Sequence, residues 1–468
     1  MSKFLSKPTR RTFLQATASA AALPLAACDP GGVADPDPTP TPTPPAPGRS
    51  PEPEVWEPAA TVDMDLFPCG VQSGDPTANA AIVWTKYLGA AALTLELVVA
   101  DGDAGWQPER ELAVEPDDVG VVKLDVDGLD VDTAYAYTFV DADGRRSLSG
   151  RLRTAPTAAR VVVFGASCCT RDDQRPFPCL SWALPERLDF HGLLGDTVYA
   201  DSATTSQAYQ EVWADNYAAQ GYLDLRRSTP TVMTWDDNEV INNNVGEWNV
   251  SPERYAIASE EFWRHNTARP DPAAPGRIWR RLSFGPAADL FVLDCRSERD
   301  VAAGHYISPE QMDWLKAGLA SSTAVFKFVM NTVPISDITG QPASDGFLDV
   351  VKDDRWEGFP EQRDEILDHI ADQGLTGVIW LAGDLHFGAA MTVEPEGERA
   401  AMNEILVGPA GNGGSNPLVQ LFELAPPFRF FTEWNNWVRF EADPGTRTCR
   451  LAFVGEDGEE MYSETLSA

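Results

Sequence analysis

Basic residues are what this chain is short of. It carries 36 Lys and Arg against 71 Asp and Glu over 468 residues, a formal net charge of −35. A field of that sign repels phosphate backbones and anionic lipid headgroups, so no nucleic-acid partner is expected. It suits divalent cations, and it also serves solubility alone. Histidine is scarce too, at five residues: His191, His265, His305, His369 and His386. There are seven cysteines, at positions 28, 69, 168, 169, 179, 295 and 449, and none has the paired spacing of a zinc site. No EF-hand spacing occurs, so acidic turns such as 100–103 and 141–144 read as solvated turns. The glycine-rich stretch 408–415 lacks a Walker lysine and reads as a plain turn or an active-site rim. The one long apolar stretch, 16–27, is too short to span a bilayer as an ordinary helix.

What is present begins with an address. Thr9-Arg10-Arg11-Thr12-Phe13-Leu14 is a twin-arginine export pattern ahead of that Ala-rich stretch. Leu25-Ala26-Ala27-Cys28 resembles a lipobox, which makes residues 1–28 a signal and Cys28 a lipid-anchored N-terminus. Residues 29–58 are dominated by Pro, Thr and acidic residues, a composition that favours an extended tether over a packed core. The expectation is an exported protein, periplasmic or on the cell surface, held to a membrane through Cys28 and otherwise monomeric. The six other cysteines are available for disulfides in that compartment.

Two bodies follow. Residues 59–156 read as a small all-β domain of the fibronectin type III kind, with strand-like runs at 81–84, 93–99, 121–129 and 134–140 separated by Asp/Gly turns. Residues 157–468 alternate apolar strands with amphipathic helices, an α/β catalytic body. One helix announces itself at Ser308, with Pro309 at its first position and Glu310-Gln311 in its first turn.

The apolar runs 160–166, 190–195, 230–235, 290–293 and 377–383 each end in chemistry: Ser167-Cys168-Cys169, Asp196, Asp236-Asp237, Asp294 with Arg296, and Asp384 with His386. Continuous apolar runs suit strands buried on both faces, and ligands in open α/β sheets collect at carboxyl ends. Carboxylates, thiols, an imidazole and a guanidinium arriving there imply a polynuclear metal site with an anion clamp. Each residue has a blander alternative: Asp196 as a helix cap, Cys168 as a small buried hydrophobe with Cys169 an equal thiol, and Arg296 as the partner of Asp294. Asp236 reads as a group that positions its neighbours.

In order along the chain come Gly70-Val71-Gln72-Ser73-Gly74-Asp75-Pro76, Ala166-Ser167-Cys168, Gly195-Asp196-Thr197-Val198-Tyr199, Trp235-Asp236-Asp237-Asn238-Glu239, Leu293-Asp294-Cys295-Arg296 and Gly383-Asp384-Leu385-His386-Phe387. This series resembles the PhoD-type alkaline phosphatases, a branch of the calcineurin-like metallophosphoesterases. The resemblance implies a two-sheet α/β sandwich flanked by helices, and an Fe3+ and Ca2+ centre. It implies Cys168, Asp196, Tyr199 and His386 on iron, with Asp196 bridging to calcium and Asp237 and Asp384 on the calcium side. It further implies hydrolysis of a phosphoester by a metal-activated hydroxide, with Arg296 holding a phosphate oxygen. Where the family usually has His, this chain has Asn238, which cannot transfer a proton but can donate a hydrogen bond or ligate calcium. Asn242, Asn243 and Asn244 add further oxygen donors. The alternatives are a phosphodiesterase acting on lipid or teichoic-type diesters, a metal- or phosphate-binding surface lipoprotein with impaired catalysis, and an interaction module built on the β-domain.

Overall fold

The computed structural model describes residues 52–241, 250–337, 354–413 and 428–468. The signal, the lipobox and all but the end of the tether lie outside these residues, as do Asn242–Asn244. Among the described residues no helix is long and apolar enough to cross a membrane.

Strand chemistry sets the layers. In Val162–Ser167 the side chains alternate: Val163 faces the helices Ser206–Tyr217, Gln220–Ser228 and Pro252–His265, in a cluster with Trp213, Tyr217 and Phe262. Phe164 faces the other way and stacks on Phe190 and Phe440 at 4.6 and 4.7 Å, with Phe328 of the second sheet edge-on at 4.7 Å. Strands buried on both faces carry apolar residues at every position, which is why these runs were continuous in the sequence. The second sheet covers its outer face with helices Pro309–Ser321 and Pro360–Asp372 through Leu315, Leu319, Ile366 and Ile370. The result is helix, sheet, sheet, helix. Ser308 caps its helix as the sequence predicts, accepting from the Gln311 N–H at 3.1 Å.

Among the described residues the first catalytic sheet has nine strands in the order 460–467, 448–455, 436–443, 162–167, 190–194, 231–234, 71–74, 81–86, 121–126. Its last three strands belong to the all-β region. Thr231 pairs in parallel with Gly74, so one face of the β-domain is an extension of the catalytic sheet. The other face is a separate six-stranded sheet that packs on it through Val83, Leu95, Val122 and Tyr137. The seven-stranded second sheet runs 280–284, 288–292, 326–330, 378–382, 403–406, 388–392, 428–432.

The six described cysteines are all buried free thiols. Cys69 and Cys179 lie in the core under the first helical layer, Cys168, Cys169 and Cys449 between the sheets, and Cys295 under the second layer. That distribution leaves no disulfide among the described residues.

Candidate metal centre

Five strands deliver a functional group in one register, two residues past their last residue. Val162–Ser167 gives Cys169, Phe190–Leu194 gives Asp196, Thr231–Thr234 gives Asp236, Ala288–Val292 gives Asp294 and Val378–Ala382 gives Asp384. At three of these positions, and at His386, the backbone is left-handed: φ is 55° at Cys169, 53° at Asp196, 64° at Asp384 and 58° at His386. A non-glycine residue in that region costs on the order of 1–3 kcal/mol, and such strain concentrates at functional sites. Gly195 makes the approach possible, because a Cβ there would sit 2.5 Å from that of Asp236.

The thiol facing the cluster is therefore Cys169. Its sulfur donates to the Asp196 carboxylate at 3.5 Å. Cys168, the thiol favoured from the family register, lies instead against Gly383 and Gly408, where a Cβ on either would fall 2.8–3.0 Å from its sulfur. The left-handed turn at Cys169 is what sends the two adjacent side chains to different places.

Around Asp196 the remaining groups close in. The Tyr199 hydroxyl donates to its Oδ2 at 3.1 Å and lies 3.2 Å from His386 Nε2, while His386 Nε2 is 3.9 Å from the same carboxylate. Ligand atoms of Cys169, Asp196 and His386 lie within 4.8 Å of one another, as do those of Asp196, Asp236 and Asp237. Asp196 belongs to both groups. Asp236, read from the sequence as a positioning residue, thus joins the carboxylate group, and its Oδ2 is buried with no hydrogen-bond partner. Asn238 spans the pair, donating from Nδ2 to Asp196 at 3.0 Å and to Asp237 at 2.9 Å. Asp384 stands at its strand end outside both groups, and its carboxylate makes no hydrogen bond to a described residue.

Arg296 is fully buried and does not pair with Asp294. Its Nε donates to Asp236 at 2.5 Å and its Nη1 to Asp354, and Nη2 lies 3.6 Å from Asp237 without a hydrogen bond. Asp294 instead accepts from Trp235 Nε1, from the backbone N–H groups of Arg296 and Ser297, and from the Ser297 hydroxyl. It fixes the turn on which Arg296 stands. One guanidinium nitrogen is left for a further acceptor.

Two residues escaped the sequence reading. Asn412, in the glycine-rich stretch, donates to the Tyr199 hydroxyl at 2.8 Å and lies 2.9 Å from His386 Nε2. Its loop is held to the cysteine turn by Ala410 N–H to Cys168 C=O and Gly411 N–H to Cys169 C=O. Only the Asn embedded among glycines signalled it. Glu239 is buried and accepts from the N–H groups of Asp196, Thr197 and Asp236 at 3.1, 2.6 and 2.9 Å, tying the two acidic turns together. Of the other histidines, His191 and His265 are buried, and burial lowers each to about 3, so both stay neutral.

The electrostatics describe a site built for cations. Burial first, then the carboxylates of Asp354 and Asp236, push Asp384 up to about 8. Burial also raises Asp237 well above the usual range, with repulsion from Asp236 and Asp196 adding to it and Arg296 opposing. Burial of His386 works against its charged form, yet the Asp196 carboxylate and Cys169 thiol raise it to about 11. Carboxylates crowded until they resist ionisation need positive charge between them. The donor set divides by chemistry: thiol, phenol and imidazole on one side of Asp196 are of the kind that suits a transition metal, and grouped carboxylates on the other are of the kind that suits a hard cation.

The fold and the site together define an α/β two-sheet protein with two groups of residues at its strand ends, sharing Asp196, that could each hold a metal ion. The chain belongs to the PhoD-like phosphatase family: the family's sequence model matches residues 162–452, and that of the PhoD-like phosphatase N-terminal domain matches 53–156. It is 24% identical over 447 residues to alkaline phosphatase D of Bacillus subtilis (strain 168), covering 81% of this chain and 76% of that one. The solved structure of PhoD superposes with a TM-score of 0.72 at 21% identity, over 88% of this chain and 90% of that one.

Proposed function

We propose that this protein is an exported, lipid-anchored phosphoester hydrolase that uses two unlike metal ions. The observation that supports it best is the division of ligands about Asp196: Cys169, Tyr199 and His386 on one side, Asp236 and Asp237 on the other. Iron on the first side and calcium on the second match that chemistry. Metals held there supply a hydroxide nucleophile at neutral pH and charge to balance the phosphoryl oxygens.

The chain's own residues do the rest. Arg296 neutralises Asp236 and Asp354 and keeps Nη2 for a phosphoryl oxygen. Asn238 holds Asp196 and Asp237 at a fixed separation and offers no proton to a leaving group. Esters of acidic alcohols, which leave without protonation, are therefore the better substrates, as monoesters or diesters. Asn412 orients Tyr199 and His386 from the rim.

The site sits at the carboxyl ends of the strands. Glu52, where the tether joins the body, is held at the other end of the sheet by Arg151 and Arg153, and Arg187 Nη1 donates to its carbonyl. The test is metal content and phosphatase activity on protein purified without chelator, for the wild type, Cys169→Ser and Cys168→Ser. Iron with calcium and turnover, with iron lost in Cys169→Ser alone, is the expected result. Metal at full occupancy without turnover on any phosphoester overturns the hydrolase reading.

A further inference from the structure

The segment Gly70-Val71-Gln72-Ser73-Gly74-Asp75-Pro76 gives no group to the metal centre, yet Gln72, Ser73 and Asp75 are all buried. Buried polar side chains must be satisfied, and these are: Gln72 by the catalytic strand Thr231–Thr234 and Arg226, Ser73 by the Arg151 carbonyl, and Asp75 by Arg269 and Arg280. Gln72 donates from Nε2 to Thr231 Oγ1 at 2.7 Å and accepts from Arg226 Nη2 at 3.0 Å. Gly74 runs so close to Thr231 that a Cβ would fall 2.4 Å from the Thr231 carbonyl and 2.0 Å from Thr267 Oγ1.

There the pairing stops. Between these two strands, Gly74 and Thr231 are the only residues paired in register. At Asp75 the backbone turns left-handed, with φ 43°, and its N–H makes a last bond to the Thr231 carbonyl at 3.1 Å. The next outward acceptor on the catalytic strand is the Met233 carbonyl, which a strand neighbour would normally satisfy. Arg280 takes that place, donating from Nη1 at 3.2 Å and from Nη2 at 3.1 Å. Arg280 is itself held by both Asp75 oxygens at 2.7 Å, and Asp75 Oδ2 also accepts from the Arg269 N–H at 2.6 Å. Three residues beyond Met233 stands Asp236.

We propose that Asp75 of the β-domain is a positioning residue for the carboxylate-bearing turn 235–239, acting through Arg280 on the Met233 carbonyl. The β-domain is on this account a working part of the site. It supplies the end of a sheet edge whose last hydrogen bond sets where Asp236, Asp237 and Asn238 stand. The kinetic part of the test rests on the hydrolase reading; the exchange part does not.

The full chain is compared as wild type, Asp75→Asn, Asp75→Glu and Arg280→Lys. Hydrogen exchange of the metal-free protein is read at amides 233–239, with 164–167 as internal reference, and kcat and KM are read on a bis(nitrophenyl) phosphodiester with metals restored. Asp75→Asn keeps the shape and removes the charge. It is expected to speed exchange at 233–239 by about tenfold or more while leaving 164–167 unchanged. It should lower kcat about 10- to 100-fold, the scale of a small misplacement of reacting groups, with KM held within about threefold. Asp75→Glu should restore part of both. Wild-type exchange and kcat in folded Asp75→Asn overturn the proposal. So does a kcat loss that merely follows the folded fraction, with exchange rising equally at 164–167. If Asp75→Asn fails to fold, Arg280→Lys, which keeps the charge without the fork that reaches Met233, carries the same two outcomes. A wild type with no turnover defeats the hydrolase reading and leaves the exchange result to decide this one.

Discussion

Replacing Arg296 with methionine separates its two duties, counter-charge and substrate contact. Arg296 is fully buried between Asp236 and Asp354, with Asp237 3.6 Å away, so little solvent screens the pairs. Removing one partner of a buried ion pair costs about 3–5 kcal/mol, because the other charge stays buried alone. For a body of this size the unfolding entropy is on the order of 0.8 kcal/mol per degree, so Tm should drop by about 4–6 °C. The measurement is a melt in chelator, since bound cations would take over the counter-charge role. The pH dependence fixes the cause. Arg296 and Arg299 hold Asp354 below its ordinary 3.8 against the opposing effect of burial, so this pair's contribution is complete above 3.8 and is lost as pH falls through the lower folded value. Asp236 runs the other way, raised by burial despite Arg296, and losing Arg296 raises it further. Both effects make the gap between wild type and Arg296→Met wide at pH 8, and it closes only below 3.8, as pH falls through the folded value of Asp354. A gap of less than about 1 °C at pH 8, or one equal at both ends, would refute the counter-ion argument. A stability loss as expected with KM unchanged after metal is restored would show that Nη2 does not hold substrate.

Cys169→Ser should lose the metal bound beside His386, read by elemental analysis, whereas Cys168→Ser should keep it and cost about 1 kcal/mol or less in stability. Asn412→Ala removes the donor shared by Tyr199 and His386. It is expected to lower metal affinity about 10- to 100-fold by competition titration, the usual scale for an outer partner of a ligand. Asn238→His introduces a proton donor where there is none, so kcat on an alkyl ester should rise by about 10²-fold or more while that on a nitrophenyl ester changes little. The gain should fall away as pH rises past the histidine's pKa, which rate profiles on both esters would show.

How far the site could be read from sequence depends on what each residue's signal was. The catalytic strands were legible because burial on both faces writes an unbroken apolar run, and the observed strands, such as Phe190–Leu194 and Val378–Ala382, fall inside the runs read. Trp106–Val114 was missed because it is an edge strand, exposed along much of its length and carrying Pro108 where the pairing with Leu93–Ala100 is irregular, a place that tolerates proline. The choice between Cys168 and Cys169 was not in the sequence, since it turns on a left-handed backbone at one residue, a property of the packed turn. Asn412 and Glu239 were hidden for a related reason: each acts through a contact with residues distant in the chain or with backbone N–H groups, and neither leaves a periodic trace. The domain boundary is the sharpest case. Composition changes near residue 156, yet the hydrogen bonds do not respect that change. Gly74 pairs with Thr231, and Arg226 of the catalytic body, buried with no carboxylate hydrogen-bonded to it, gives its bonds to the Cys69 carbonyl and to Gln72 Oε1. A cation buried in this way is costly unless its donors are met, and the two terminal nitrogens of Arg226 are met from the β-domain, while its Nε has no hydrogen-bond partner. Its ring contacts, 3.6 Å over Tyr217 and 4.8 Å over Trp84, again draw on both sides of the seam. The chain thus changes character at residue 156 while its sheet, hydrogen bonds and ring contacts run on across the seam, and the β-domain keeps a core of its own between its two sheets.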